Sequence, residues 1–217
     1  MTPHLSEEEW NERVRAHPEL AAMPQSLRDA ATEQQTKAGE RLYAIGDRPQ
    51  FMLFVTAGEL RLTRRAQNGA EVILQRSASG FVAEASLETS RYHCDIVAAQ
   101  STRLLRFPIG CFREALREDA AFQAAWMSRL AQEVRKLRAQ CERLSLHGAA
   151  ERIEHYIEAE GQGGRLELRQ SRKSWAAELG LTHEALYRAL ATMVRTGRLR
   201  TEMQGDRFVL FACPRKH

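Results

Sequence analysis

Apolar residues fall in short bursts along the first half of the chain and recur every three or four residues along the second. Between Gly39 and about Pro108, runs rich in β-branched and aliphatic residues lie at Arg41–Ala44, Phe51–Thr56, Glu59–Arg64, Glu71–Gln75, Asp95–Ala99 and Arg103–Phe107. Glycines at 39, 46, 58, 69 and 80 punctuate this stretch, the last four at gaps of eleven or twelve residues. Short strands cut by turns at that spacing predict an antiparallel sandwich or jelly roll. Asn68-Gly69 predicts a tight hairpin turn, because both residues tolerate positive φ. Ahead of Gly39, SEEEWNERV and SLRDAATEQQ predict two short helices beside the β domain.

After Pro108 the period changes to helical and holds to about Leu146. Met127, Leu130, Val134, Leu137, Cys141 and Leu144 alternate spacings of three and four, and the positions between them are mostly charged or small. That narrow stripe predicts a short two-stranded coiled-coil seam, hence a homodimer; the alternative is an amphipathic helix lying on its own β domain. HGAAERIEHYIEAEGQGG predicts a further helix from about Gly148, ending at a glycine cluster. Arg165–Leu168 follows as a strand, so Gly161, Gly163 and Gly164 read as a turn and not a phosphate loop, which requires a helix there.

The segment SRKSWAAELGLTHEALYRALATMVRTGRLR predicts two helices around a turn at Gly180. Trp175, Ala176 and Leu179 give the first an apolar face, and Gly180 can take the left-handed conformation that stops it. Thr182 is placed to cap the second helix, whose inward face is Ala185, Leu186, Ala189, Leu190 and Met193. Its outward face carries His183, Glu184, Tyr187 and Arg188. Leu199–Met203 and Arg207–Phe211 flank Gly205-Asp206 as a hairpin. Together these predict a winged helix-turn-helix.

Composition narrows the classes. A 43% hydrophobic and 28% charged chain of 217 residues is ordinary globular material, with no apolar run of bilayer length. MTPHLSEEEWNER lacks the apolar stretch of a signal peptide, so a cytoplasmic protein without membrane contact is expected. Net charge +4 is compatible with a nucleic-acid partner. Cys94, Cys111, Cys141 and Cys213 are scattered, which predicts reduced thiols. No nucleophile-elbow, Walker or HExxH motif is present, and an enzyme is not expected.

Groove geometry assigns roles to the outward face. Arg188 can pair bidentately with a guanine edge, Glu184 can accept from cytosine and orient Arg188, and His183 is a third base reader. Ser171, Arg172 and Lys173, with Arg195 and Arg198, are expected at phosphates, which fix register without reading sequence.

From about Leu27 to Phe211 the chain resembles the CRP/FNR family of bacterial transcription regulators. KAGERLYAIGD and FMLFVTAGELRLTRRAQNGAEVILQRSASG match its β-roll. His183-Glu184-Ala185-Leu186-Tyr187-Arg188 is similar to its recognition pattern Arg-Glu-x-x-x-Arg, with His for the first Arg and Tyr187 for a usually small residue. The resemblance implies double-stranded DNA, a second copy of the chain and RNA polymerase as partners, and a TGA-like half-site core. It also implies an effector pocket at Glu84, Arg91, Tyr92, His93, Cys94, Leu137 and Arg138. Cyclic-AMP-binding members read Gly-Glu and then Arg-Ser/Thr-Ala, where this chain has Ala83-Glu84 and Tyr92-His93-Cys94. Arg91 stands one residue out of step, so on a strand it faces the other way. Cyclic AMP is therefore not the expected effector. An iron–sulfur cluster is not expected either, since no cysteine precedes Cys94. A cyclic-nucleotide-responsive regulator stays open as the alternative, as do haem, another metal or thiol redox sensing through His93 or Cys94, and a packing role in which Cys94 fills core and His93 fills the pocket.

The expected fold is α+β, a cupin-like antiparallel β-roll with flanking helices, a long coiled-coil dimerisation helix and a C-terminal winged helix-turn-helix. The expected domains are a sensor at 1–108, the dimerisation helix at 109–146 and the DNA-binding domain at 147–217.

Overall fold

Ser6 starts the first helix. Its hydroxyl accepts from the Glu9 N–H at 3.3 Å, and the Glu9 carboxylate accepts from the Ser6 N–H at 2.8 Å. This reciprocal pair satisfies two N–H groups that a helix start leaves open. In the computed structural model, which describes residues 5–65, 71–168, 171–205 and 207–213, α1 (Glu7–Ala16) is followed by a 3-10 turn, Pro18–Ala22, and by α2 (Gln25–Asp29). The second predicted helix is corrected here: it stops at Asp29, and Thr32–Thr36 is a strand, β1. Polar TEQQT carries no apolar helical stripe, and its register against Thr102–Arg106 makes it an edge strand.

Two four-stranded sheets form the roll. One has the order β1-β8-β3-β6, with β3 at Phe51–Ala57, β6 at Gly80–Val82 and β8 at Thr102–Pro108. The other runs β2-β7-β4-β5, with β2 at Arg41–Tyr43, β4 at Leu60–Arg65, β5 at Glu71–Ser77 and β7 at Asp95–Ala98. β6 was not foreseen, because three residues are too few to show a period. β4 and β5 pair antiparallel as expected of a hairpin; the Asn68-Gly69 turn itself lies outside the described residues. At Gly58, with φ +98, a side chain would strike Ser101 and Thr102 backbone at 2.5–2.6 Å, so only glycine lets this turn close.

β3 is buried along both faces, and its sequence FMLFVTA shows the continuous apolar run that follows. Leu53 and Val55 join Leu60, Leu62, Val82, Tyr92, Cys94, Ile96 and Leu104 in the roll interior. Phe54 meets Phe81 edge-on at 4.9 Å, and Phe81, Phe112, Phe122 and Trp126 continue as an aromatic cluster with centroid distances of 4.9–5.8 Å. Such edge-to-face pairs add about 0.5–1.5 kcal/mol each beyond burial.

The helical stretch after Pro108 is two helices and not one, α3 (Ile109–Glu118) and α4 (Ala120–Ser145). Asp119 leaves the helical conformation and its carboxylate accepts from the Phe122 N–H at 2.8 Å, capping α4. The chain divides into two compact units, Met1–Ser128 and Arg129–His217, and α4 contributes to both.

The second unit packs α5 (Ala149–Glu160), α6 (Arg172–Glu178) and α7 (His183–Arg195) on a small sheet of order β10-β11-β9. Its strands are β9 (Arg165–Leu168), β10 (Leu199–Gln204) and β11 (Arg207–Ala212). Trp175, Leu179, Leu186, Leu190, Met193 and Leu210 form the centre of its core. The hairpin β10–β11 stands where the wing was expected; Asp206 at its tip lies outside the described residues. Gly180 sits at φ +64, and a Cβ there would lie 2.8 Å from Leu144 Cδ2 and 3.0 Å from Arg152 Nη1. Glycine is favoured at this turn by its conformation, since the two close atoms are the ends of side chains that can move aside.

Candidate nucleic-acid interface and the closed β-roll

The helix-turn-helix geometry is set by two side-chain caps. Ser171 Oγ accepts from the Ser174 N–H at 3.1 Å and starts α6; Thr182 Oγ1 accepts from the Ala185 N–H at 3.1 Å and starts α7. With Leu186, Leu190 and Met193 turned into the core, α7 presents His183, Glu184, Tyr187 and Arg188 to solvent. Among the described residues, no hydrogen bond or ion pair ties Glu184 or Arg188 to another side chain. Both are free to engage a ligand.

Tyr187 is engaged already. Arg172 Nη1 donates to its hydroxyl at 3.1 Å, and the same guanidinium lies 4.1 Å over the Phe208 ring. The His183 ring meets Tyr187 edge-on at 4.5 Å. A half-buried arginine on α6 is thus held between α7 and the wing strand β11. Lys173 is exposed beside it. Arg198 is bound to Glu154 at 2.7 Å, and Arg200 stacks on Phe211 and pairs with Glu202. Arg195 is exposed at the end of α7.

Two arginines that no linear pattern singles out fasten the end of α4 to α5 and the turn at Gly180. Arg152 donates to the carbonyls of Leu146 at 2.9 Å, Leu179 at 3.0 Å and Gly180 at 3.1 Å, so one guanidinium satisfies the helix end and the turn together. Arg143, with its side chain only 1% exposed, lies 4.4 Å over the Tyr156 ring and 3.9–4.0 Å from Glu160 and Glu178. In a linear reading both look like solvated helix positions. The seam residues of α4 are bare: Met127 is 61% and Leu137 56% exposed, Val134, Cys141 and Leu144 are exposed, and Leu130 is half-covered.

The β-roll contrasts with this open face. Tyr92 is 2% exposed, its ring 5.0 Å from that of Tyr43, and its hydroxyl donates to the Phe51 carbonyl at 3.3 Å. Burial raises its pKa well above the usual phenol range, and the nearby Tyr43, Asp47 and Cys94 act in the same direction. Tyr43 is raised too by burial, against the opposing pull of Arg106. Cys94 is fully buried, and burial, helped by Asp95 and opposed by Arg64, raises its thiol pKa. His93, between them, is exposed, which places it outside the pocket and away from Cys94. Arg91 is exposed and donates to the Gly46 carbonyl at 2.7 Å. Glu84 is half-buried at the start of a 3-10 turn, after Ala83 in a left-handed conformation (φ +65) that costs any residue but glycine strain. Leu137 and Arg138 are exposed on α4, in the second unit. Among the described residues, no group of three or more His, Cys, Asp or Glu side chains gathers to hold a metal ion. No helix among them is long and apolar enough to cross a membrane.

Comparison with known proteins agrees with this architecture. Residues 33–119 match the cyclic nucleotide-binding domain family. No curated protein matches the chain. Among solved structures, it is similar to FixK2 from Bradyrhizobium japonicum, with a TM-score of 0.61 and 22% identity over 83% of this chain and 92% of that one. DNR from Pseudomonas aeruginosa gives 0.53 and 17% over 97% and 96%. The c-di-GMP responsive global regulator CLP from Xanthomonas campestris gives 0.54 and 18% over 85% and 95%. The family match is confined to residues 33–119, and the chain shares its fold with these three solved structures.

Proposed function

We propose that the protein is a homodimeric, sequence-specific DNA-binding transcription regulator of CRP/FNR type and not an enzyme. The observation that carries this reading is the outward face of α7, where Glu184 and Arg188 stand one turn apart and, among the described residues, unpaired; Ser171, Arg172 and Lys173 are the residues expected at phosphates. An α-helix fits the major groove, and Arg and Glu match guanine and cytosine edges there. The bare stripe on α4 favours a second copy of the chain as its cover, since a sister helix buries that seam without burying the charged flanks. A twofold dimer then reads a palindrome with half-site centres about 34–36 Å apart. It would act in the cytoplasm, together with RNA polymerase.

The effector is a molecule other than cyclic AMP. Tyr92 occupies the roll interior where the family's phosphate-pairing arginine would be expected, and a phenol offers no charge to a cyclic phosphate. Thiol sensing by Cys94 is disfavoured, because the raised pKa of a buried thiol suppresses the reactive thiolate.

Selection of bound duplexes followed by fluorescence anisotropy tests the reading. Wild-type protein should enrich a palindrome and bind it with a steep salt dependence. Arg188→Ala should weaken binding to that palindrome by about 1–3 kcal/mol while leaving the melting temperature unchanged. Unchanged affinity in the variant would remove α7 from the groove.

A further inference from the structure

Between α4 and α5 the chain leaves the helical conformation for three residues, Leu146, His147 and Gly148. A link this short, ending in glycine, is where a DNA-binding module would swivel on its dimerisation helix. Side chains cross the link from both directions and brace it. From α5, the Arg152 guanidinium donates to the Leu144 carbonyl at 3.4 Å and the Leu146 carbonyl at 2.9 Å. The same group donates to the Leu179 and Gly180 carbonyls of the helix-turn-helix at 3.0 and 3.1 Å. His155 Nε2 lies 3.2 Å from the Glu142 carboxylate of α4. From α4, Arg143 reaches Tyr156 and Glu160 of α5 and Glu178 of α6.

Arg143 is the informative member. Cys141 and Leu144 on either side of it are exposed on the seam, while its own side chain is buried. The last turn of α4 thus has one face for a second copy and another for the module. Neither carboxylate comes within hydrogen-bond distance of Arg143, and its Nε and Nη2 have no hydrogen-bond partner among the described residues. A buried guanidinium held in this way adds little to stability, and apolar residues of similar volume often serve as well. What it supplies is a unique arrangement, since only one placement of α5 and α6 puts an aromatic face and two carboxylates round it. Arg152 adds the same constraint, because carbonyls from the end of α4 and from the turn must converge on one planar fork.

We propose that Arg143 and Arg152 are positioning residues that lock the module to the last turn of α4 and thereby fix the half-site spacing the dimer accepts. All the groups involved lie within the second unit. The inference rests on the DNA-binding reading above and names what sets its spacing specificity. Two modules held at a matched span gain avidity that vanishes when geometry forbids both from engaging, whereas loosely tethered modules tolerate a changed span. One inserted base pair moves a half-site by about 3.4 Å along the duplex and about a tenth of a turn around it. A locked module cannot follow that shift. A module freed at residues 146–148 can.

Fluorescence anisotropy of the full chain tests this on three duplexes: the selected palindrome, the same palindrome with one central base pair inserted, and a duplex with one half-site scrambled. The wild type should lose about tenfold or more in affinity on the insertion. Arg143→Met and Arg152→Met, made separately, should bind the palindrome more weakly and lose about threefold or less on the insertion. Both should match the wild type on the single half-site, which also shows that each variant is folded. Arg152→Lys, which keeps the charge without the planar fork, should behave as Arg152→Met does. A merely structural role would lower affinity for all three duplexes in proportion, and that result would overturn the lock. A wild-type spacing penalty retained in either methionine variant strikes that residue from it, and a wild type indifferent to the insertion removes it altogether. Each of these leaves the DNA-binding reading standing. A wild type that binds no duplex selectively sinks that reading and this inference with it.

Discussion

The interior of the β-roll and the outer face of α7 use similar residues to opposite ends. Tyr92 and Cys94 lie inside the roll with their polar atoms out of reach of water, the tyrosine donating to a backbone carbonyl. Glu184 and Arg188 stand on a helix whose other face is core, and among the described residues no hydrogen bond or ion pair holds either of them. A buried polar group has to be satisfied by the protein itself, whereas an exposed one can be kept for a partner. The difference separates a region that stabilises the fold from one that is available for recognition, although family resemblance alone would mark both as binding sites.

The sharpest way to break this comparison is to empty the interior. Tyr92→Ala should destabilise the protein by about 3–5 kcal/mol, the range for deleting a large buried ring, read from urea unfolding. A near-neutral result would mean that the position lines an open cavity able to take a ligand. Arg188→Ala, by contrast, should act on DNA affinity and leave unfolding untouched.

A smaller effect separates reading from positioning on the recognition face. Tyr187→Phe removes the hydroxyl that accepts from Arg172. It should weaken DNA binding by about 0.5–1.5 kcal/mol, the net worth of one hydrogen bond. The loss should be similar on the preferred palindrome and on a scrambled duplex, because a loosened phosphate contact carries no sequence information. A loss confined to the palindrome would make Tyr187 a base reader instead.

The gentlest probe is proton chemistry. Tyr92 and Tyr43 both have raised pKa values, so ultraviolet titration should find them un-ionised through the ordinary phenol range near pH 10. With raised folded-state values, their contribution to stability is intact below the unfolded pKa and is lost as pH rises through the folded one. Unfolding free energy should therefore fall above about pH 10. Under native conditions iodoacetamide should label half-exposed Cys213 well before buried Cys94. Equal labelling rates would show the roll to be open.

Much of this was legible in the sequence because it rests on local periodicity. The three-and-four spacing of Leu186, Leu190 and Met193 assigned the inner and outer faces of α7, and Thr182 and Gly180 marked its boundaries. Five of the six strand runs that border glycines or loops landed within two residues of β2, β3, β4, β5 and β7, and Arg103–Phe107 fell inside β8. Where periodicity was short or absent, it misled. TEQQT read as helix and pairs as an edge strand, β6 was too brief to register, and the break at Asp119 hid in a stretch that stays apolar on one side.

What the linear order determined by itself was the kind of element at each position and which side of it is apolar, because both follow from backbone periods of two and 3.6 residues. It also supplied the absence of an arginine at Tyr92. Only the tertiary structure decided what those faces meet. Arg143 and Arg152 meet partners 6 to 35 residues away, and the sequence carries no mark of such pairs. The pairing of β4 with β7 ends at Thr63 and Asp95 because the chain before β7 bonds to Gly46 and Asp47 and not to β4. That choice between two possible neighbours is settled by packing across the sheet, which no local pattern encodes.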